Sequence, residues 1–366
     1  MKFCLPFSAG IPVNVKNSFL FQLSLAVLAT LLHALAFPNP LLANGLWPAG
    51  FIAYLPLFML VRTAHWRYCA VTGAAYGFLS TVFFNYWLAG FHPLALPLAA
   101  SIKLVYNAFF FIALRYAARI FPRYAAVLQT LFWVVFEYLQ SLGFLGYTYG
   151  FAGYTQWRNI PLLQTASLTG VWGVSALVVF PQAWLAGAWA GTPSAIFKPR
   201  IPIALYAAIL VFCLCRGAFF IPESGEERGD APVRRIALIQ QNDNPWKDSP
   251  DAYRQTLVSL IKLSNEALAG EQTENKNERN LSAPALVVWP ETAFVPMFYW
   301  HIRYRTDHAY YTLVKELSDY LKKQDAFFLI GNDDGRREER DGALVRVDYN
   351  AALFFDGGEL AGVYRK

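Results

Sequence analysis

Residues 286–291, Leu-Val-Val-Trp-Pro-Glu, carry a run of buried-type side chains into a carboxylate, Glu291. The run predicts a strand. An acid at the C-terminal tip of a strand in an α/β layer stands where catalytic groups are commonly placed. Pro290 stiffens the turn and fixes where the carboxylate points. Trp289 is expected to form an apolar wall that raises the carboxyl toward a useful general base. Taken alone, Glu291 reads equally as a solvated acid that helps cap the next segment. Lys366, after Val363-Tyr364-Arg365, is by itself a solvated lysine on a strand that follows a hairpin. No cysteine follows Cys215. The expectation is an enzyme whose base is present and whose nucleophile is missing.

The elements that must position these groups fall into two parts. Of 366 residues, 56% are hydrophobic and 15% charged, well below the roughly one quarter charged of soluble domains. A membrane protein follows as the first hypothesis. The net charge of +6 does not make a nucleic-acid footprint, because many basic residues lie between apolar segments. Apolar candidates for spans are 18–37, 47–61, 69–90, 98–118, 124–142, 162–190 and 201–220, about seven at the length a bilayer needs. The segment 47–61 is short and carries Pro48 and Pro56. The segment 162–190 is long enough to tilt. The first stretch is too long for a signal peptide and reads as a retained anchor.

Basic residues recur at every second connection: Lys2 and Lys16, then Arg62 and Arg67, then Arg115, Arg119 and Arg123, then Lys198 and Arg200. The positive-inside rule puts the N-terminus in the cytoplasm and everything after residue 220 outside. Cys4, Cys69, Cys213 and Cys215 form no disulfide framework or zinc site, and no metal or cofactor is indicated. Glu137 lies within an apolar segment, where a carboxylate is a functional candidate by default; an interfacial position near a span end is the preferred reading. His33 and Asn85 are expected to bond between helices.

Residues 1–220 are thus read as a transmembrane helical domain, 221–232 as a charged linker, and 233–366 as an α/β domain. Within it, 235–240, 281–288 and 326–331 are predicted strands, and 252–269 and 308–323 predicted helices. Strands 349–355 and 360–364 flank Asp356-Gly357-Gly358, a hairpin signal. The polar stretches 271–280 and 333–342 are expected to be mobile loops. Asn280-Leu281-Ser282 matches a glycosylation sequon, a match frequent by chance.

The succession Trp289-Pro290-Glu291, Gly331-Asn332, Tyr349-Asn350 and Tyr364-Arg365-Lys366 resembles the carbon–nitrogen hydrolase (nitrilase) superfamily. Residues 236–247, Leu46-Trp47-Pro48-Ala49-Gly50, Glu137-Tyr138-Leu139, Gly153-Tyr154-Thr155-Gln156 and Gly170-Val171-Trp172-Gly173 extend the likeness to its membrane-anchored branch, the bacterial apolipoprotein N-acyltransferases. Nearly the whole chain is covered. The resemblance implies a membrane helical bundle followed by a nitrilase-like α-β-β-α sandwich domain, incomplete at the C-terminus. It implies a Glu–Lys–Cys triad acting through a thioester, with Glu291 as general base, Lys366 stabilising the oxyanion, and the cysteine absent. It implies a phospholipid acyl donor, a diacylglyceryl apolipoprotein acceptor and an inner-membrane location with the α/β domain on the periplasmic face. Trp246 and Trp289 are its candidate substrate-binding residues. The family's Gly-Phe-Pro-Trp is replaced here by Gly146-Tyr147-Thr148-Tyr149.

Three rival readings remain at this stage. The chain is a non-catalytic lipid- or lipoprotein-binding subunit or truncated pseudoenzyme, working with a separately encoded C-terminal fragment. Or it is a transporter, which predicts paired intramembrane charges in two matching halves. Or it is a hydrolase of small amides, which needs no spans.

Overall fold

The computed structural model describes residues 18–143, 146–190, 200–221, 235–242, 248–269, 284–340 and 342–366. The chain divides into two compact units, Met1–Glu226 and Glu227–Lys366. Residue Trp246, the stretch 271–280, the sequon and nearly all of the expected linker lie outside the described residues.

The first unit is helical. Its elements are α1 (Phe19–Ala36), a 3-10 turn at Trp47–Phe51, α2 (Leu55–Thr63), α3 (Trp66–Phe84), a 3-10 turn at Tyr86–Gly90 and α4 (Ala95–Ile120). There follow α5 (Ala125–Gln140), a 3-10 turn at Ala152–Gln156, α6 (Ile160–Leu163), α7 (Ala166–Trp189) and α8 (Arg200–Phe220). Helices α1, α4 and α7 are long and apolar enough to cross a membrane, while α5 and Ala204–Phe220 are shorter apolar helices. Large apolar side chains such as Leu20, Phe109 and Leu168 face outward, 74%, 70% and 65% exposed. Lipid is the solvent in which such faces are stable.

Two of the expected spans are corrected. The segment 47–61 is not one helix but a five-residue 3-10 turn followed by the nine-residue α2. Pro48 and Pro56 each sit in a first helical turn, the position a residue without an N–H tolerates. The backbone groups this break releases are met by Gln182 of α7. Its Nε2 donates to the Gly50 carbonyl at 2.9 Å and its Oε1 accepts from Tyr54 N at 2.7 Å. The segment 162–190 is likewise not one helix: α6 has four residues, and the backbone leaves helical geometry at Gly170, with φ 62° and ψ −171°.

Several buried polar groups of this unit bond one another or the backbone. Glu137 lies in the last turn of α5, as expected, but is turned inward at 4% exposure instead of facing an interface. It accepts from Trp133 Nε1 at 2.9 Å and from Ala152 N at 2.7 Å. It therefore anchors the Gly153-Tyr154-Thr155-Gln156 turn. His33 Nδ1 meets the Tyr76 hydroxyl at 3.3 Å, joining α1 to α3. Tyr147 donates to Asn85 Oδ1 at 2.5 Å.

The second unit holds one mixed sheet among the described residues. Strands β1 (Ile236–Leu238), β2 (Leu286–Val288), β3 (Phe327–Arg340), β4 (Ala343–Asp356) and β5 (Glu359–Arg365) lie in the order β1-β2-β3-β4-β5. The first three are parallel; β3–β4 and β4–β5 are antiparallel. Helices α9 (Pro250–Ala269), α10 (Phe298–Tyr304) and α11 (His308–Leu321) complete it. The Asp307 side chain caps α11 by accepting from Tyr310 N at 3.0 Å. Leu257 and Leu260 of α9 and Leu313, Val314 and Leu317 of α11 close over Val287, Phe328 and Ile330. Gly357 and Gly358, at φ 53° and 79°, make the two-residue turn between β4 and β5, the geometry hairpins favour.

The stretch 333–342, expected to be a mobile loop, is instead mostly strand. Strand β3 runs on to Arg340 and pairs with β4 from Phe328↔Phe355 to Arg340↔Ala343. Two arms can tolerate charge because each exchanges ladder hydrogen bonds with the other, and side chains alternate between faces.

Candidate functional site

Glu291 stands at the C-terminal end of β2, exposed, directly after Trp289-Pro290. Asn350 of β4 donates from its Nδ2 to Glu291 Oε1. The carbonyl of the same Asn350 accepts from the backbone N–H of Lys366 at 2.9 Å. One residue thus holds the carboxylate and the backbone of the lysine. Asn350 belongs to the Tyr349-Asn350 pair of the motif succession, but the sequence gives it no role.

Close approach makes this arrangement possible. Gly331 lies under the Glu291 turn; a Cβ there would come within 2.2 Å of the Pro290 carbonyl oxygen and 2.7 Å of Glu291 Cα. Both neighbours are backbone and cannot swing aside. Gly331→Ala is expected to cost about 1–3 kcal/mol through overpacking and to push the carboxylate off Asn350. Denaturant titration of the purified chain checks the first effect.

Asn332 holds the chain that leads away from Glu291. It is 0% exposed. Its Oδ1 accepts from Phe298 N at 3.0 Å, and its Nδ2 donates to the carbonyls of Phe294 and of Pro296, the latter at 3.0 Å. Thr292 takes a left-handed φ of 53° in this turn.

The lysine end is held by an ion pair that sequence reasoning missed. Asp334 of β3 is fully buried, and Arg365 Nε reaches its Oδ2 at 2.6 Å across β4. Arg336 is a further partner at 3.4 Å. The signal was available as period two: Phe328, Ile330, Asn332 and Asp334 are all buried. Arg365→Met is expected to cost about 2–3 kcal/mol, less than the ~3–5 of a fully buried pair, because Arg365 is 23% exposed and Arg336 remains. Asp334→Leu combined with Arg365→Met should recover most of that loss in a double-mutant cycle.

Asp333, opposite Asn350 in the ladder, adds negative charge nearby. Its carboxyl is raised above the usual range by partial burial, then by Asp348 and Glu291.

Trp289 is not on an open wall. It is 2% exposed, its Nε1 donates to Ser264 Oγ of α9 at 2.9 Å, and its ring packs against Phe328. Its indole belongs to the core, so it offers no face to a substrate. Asn350 contacts the Glu291 carboxylate and the Lys366 backbone, while Trp246 lies outside the described residues.

A helical unit with membrane-length helices, joined in one chain to an α/β unit with an acid held beside a lysine-bearing strand end, defines a membrane protein with an appended α/β unit. The apolipoprotein N-acyltransferase N-terminal domain matches residues 29–184. The chain is 38% identical over 359 residues to apolipoprotein N-acyltransferase 1 of Treponema denticola, covering 93% of this chain and 63% of that one. It is 40% identical over 364 residues to apolipoprotein N-acyltransferase 1 of Treponema pallidum, covering 93% and 62%. The apolipoprotein N-acyltransferase of Geobacter metallireducens is 27% identical over 349 residues, covering 92% and 61%. The chain belongs to the apolipoprotein N-acyltransferase family. It spans less than two thirds of the length of these relatives.

Proposed function

We propose that this chain supplies the membrane anchor and the acid–cation pair of a lipoprotein N-acyltransferase. The reaction moves an acyl chain from a phospholipid to the α-amine of a diacylglyceryl-cysteine at a lipoprotein N-terminus. The observation that carries the reading is Asn350, which binds Glu291 through its amide and Lys366 through its carbonyl.

In the first half-reaction Glu291 takes the proton of a cysteine thiol, and the thiolate attacks the phospholipid ester carbonyl. Lys366 stabilises the oxyanion. The C–O bond then breaks, and the lysophospholipid alkoxide leaves with the proton from Glu291. In the second half-reaction the lipoprotein amine attacks the thioester, Glu291 takes the amine's proton, and the thiol is regenerated as the amide forms. Residues 227–366 contain no cysteine, so the nucleophile is assigned to a residue outside them.

On this reading residues 1–220 form a multi-pass anchor in the inner membrane. The N-terminus is cytoplasmic, and residues 233–366 belong to a nitrilase-like domain on the periplasmic face. The alternation of basic connections supports that orientation. The test is expression of the complete reading frame in bacteria depleted of their own lipoprotein N-acyltransferase. Triacylated lipoprotein N-termini, read by mass spectrometry, are the expected result; diacylated termini alone would overturn the proposal.

A further inference from the structure

A second site lies in the helical unit, independent of the acyl-transfer reading. Helix α8 is fastened to its neighbours at discrete points. Arg216 donates to the Gln164 carbonyl at 3.2 Å, and the Tyr206 hydroxyl donates to the Leu177 carbonyl at 2.9 Å. Gly217 packs directly on the Pro161 backbone. Between these contacts α8 stands away from α5 and α7 and leaves a cavity of about 540 Å³. Its walls are apolar, with Val127, Ala176, Phe180, Leu205 and Ile209 among them, and its lining includes Arg62 and Arg123. Arg62 is set in place by Gln129 Oε1 at 3.0 Å. Arg123 is exposed on the connection between α4 and α5.

We propose that this cavity binds one anionic glycerophospholipid, with an acyl chain between α5, α7 and α8 and the phosphate at Arg62 and Arg123. The walls call for a hydrocarbon occupant, because most of their side chains are apolar and the hydroxyls of Thr130, Thr169 and Tyr206 are spent on backbone carbonyls. The two guanidiniums call for an anionic head, and Arg is the side chain suited to phosphate. A volume of several hundred Å³ is that of a ligand site rather than a packing defect. On the orientation proposed above, Arg62 and Arg123 lie at the cytoplasmic surface, where anionic headgroups attract basic side chains.

The test is native mass spectrometry of the delipidated full chain with phosphatidylglycerol, with phosphatidylcholine of the same acyl chains, and with oleate. One phosphatidylglycerol should be retained in preference to either competitor. Arg123→Gln should weaken it by about fivefold, the loss expected for one interfacial cation, and leave phosphatidylcholine unchanged. Ala176→Phe should displace the lipid by filling the cavity. Ala188→Phe, at an exposed wall position, gives the same answer should the first variant fail to fold. Equal retention of phosphatidylglycerol and phosphatidylcholine would overturn the headgroup assignment. Oleate bound as tightly as phosphatidylglycerol, or full retention of phosphatidylglycerol by the folded cavity-filling variant, would overturn the site.

Discussion

Glutamine at position 291 is expected to lower N-acylation by a factor of about 10²–10⁴, the usual worth of a positioned general base, while the fold survives. The amide has nearly the shape of the carboxylate. Its oxygen still accepts from Asn350 Nδ2, so the contact that orients the side chain is kept. What it lacks is any basicity toward a thiol. Asn350→Leu reverses the case: it leaves the acid but frees it to rotate. Its effect should therefore be smaller and fall on the catalytic rate more than on substrate binding. Both variants are read in the complete reading frame, by the fraction of triacylated lipoprotein over time. Activity of Glu291→Gln within tenfold of the parent would remove Glu291 from the role of base. The exposed position of Glu291 makes the comparison clean, because no core contact is altered.

The largest effect on stability is expected at Asn332. Leucine there fits the volume but orphans one buried N–H, of Phe298, and two carbonyls, of Phe294 and Pro296. Each unsatisfied buried group costs about 1–3 kcal/mol, and the sum is expected near 4 kcal/mol, with partial relief by water. Since domains hold only about 5–15 kcal/mol in all, most of the margin is lost. Asn332→Asp tests the cause. It keeps an acceptor for Phe298 N but turns a charged oxygen toward two carbonyl oxygens, so it should not rescue. The measurements are the urea midpoint of the α/β unit in the full chain, followed by its tryptophan emission, and hydrogen exchange at Phe298. Parent-like stability of Asn332→Asp would show that shape, not hydrogen bonding, holds the 294–298 turn.

Much of the design is local and therefore legible in the chain itself. Apolar length marks α1, α4 and α7, because a bilayer sets a minimum run whatever the packing. β-branched residues before Trp-Pro mark β2 and place Glu291 at its tip. Asp356-Gly357-Gly358 marks the β4–β5 turn, because positive φ is a single-residue requirement. Three things needed the tertiary structure. The reach of β3 to Arg340 depended on pairing with β4, since a charged strand gains its hydrogen bonds only from its partner. The inward turn of Glu137 depended on Ala152, fifteen residues away, offering an N–H. The burial of Trp289 depended on Ser264 of α9 lying across the sheet. Periodicity names the face a side chain takes; it does not name what another segment brings to that face. For the same reason Glu291 and Lys366 could each be noticed in the sequence, while Asn350, which joins them, emerged only when β4 was laid between them.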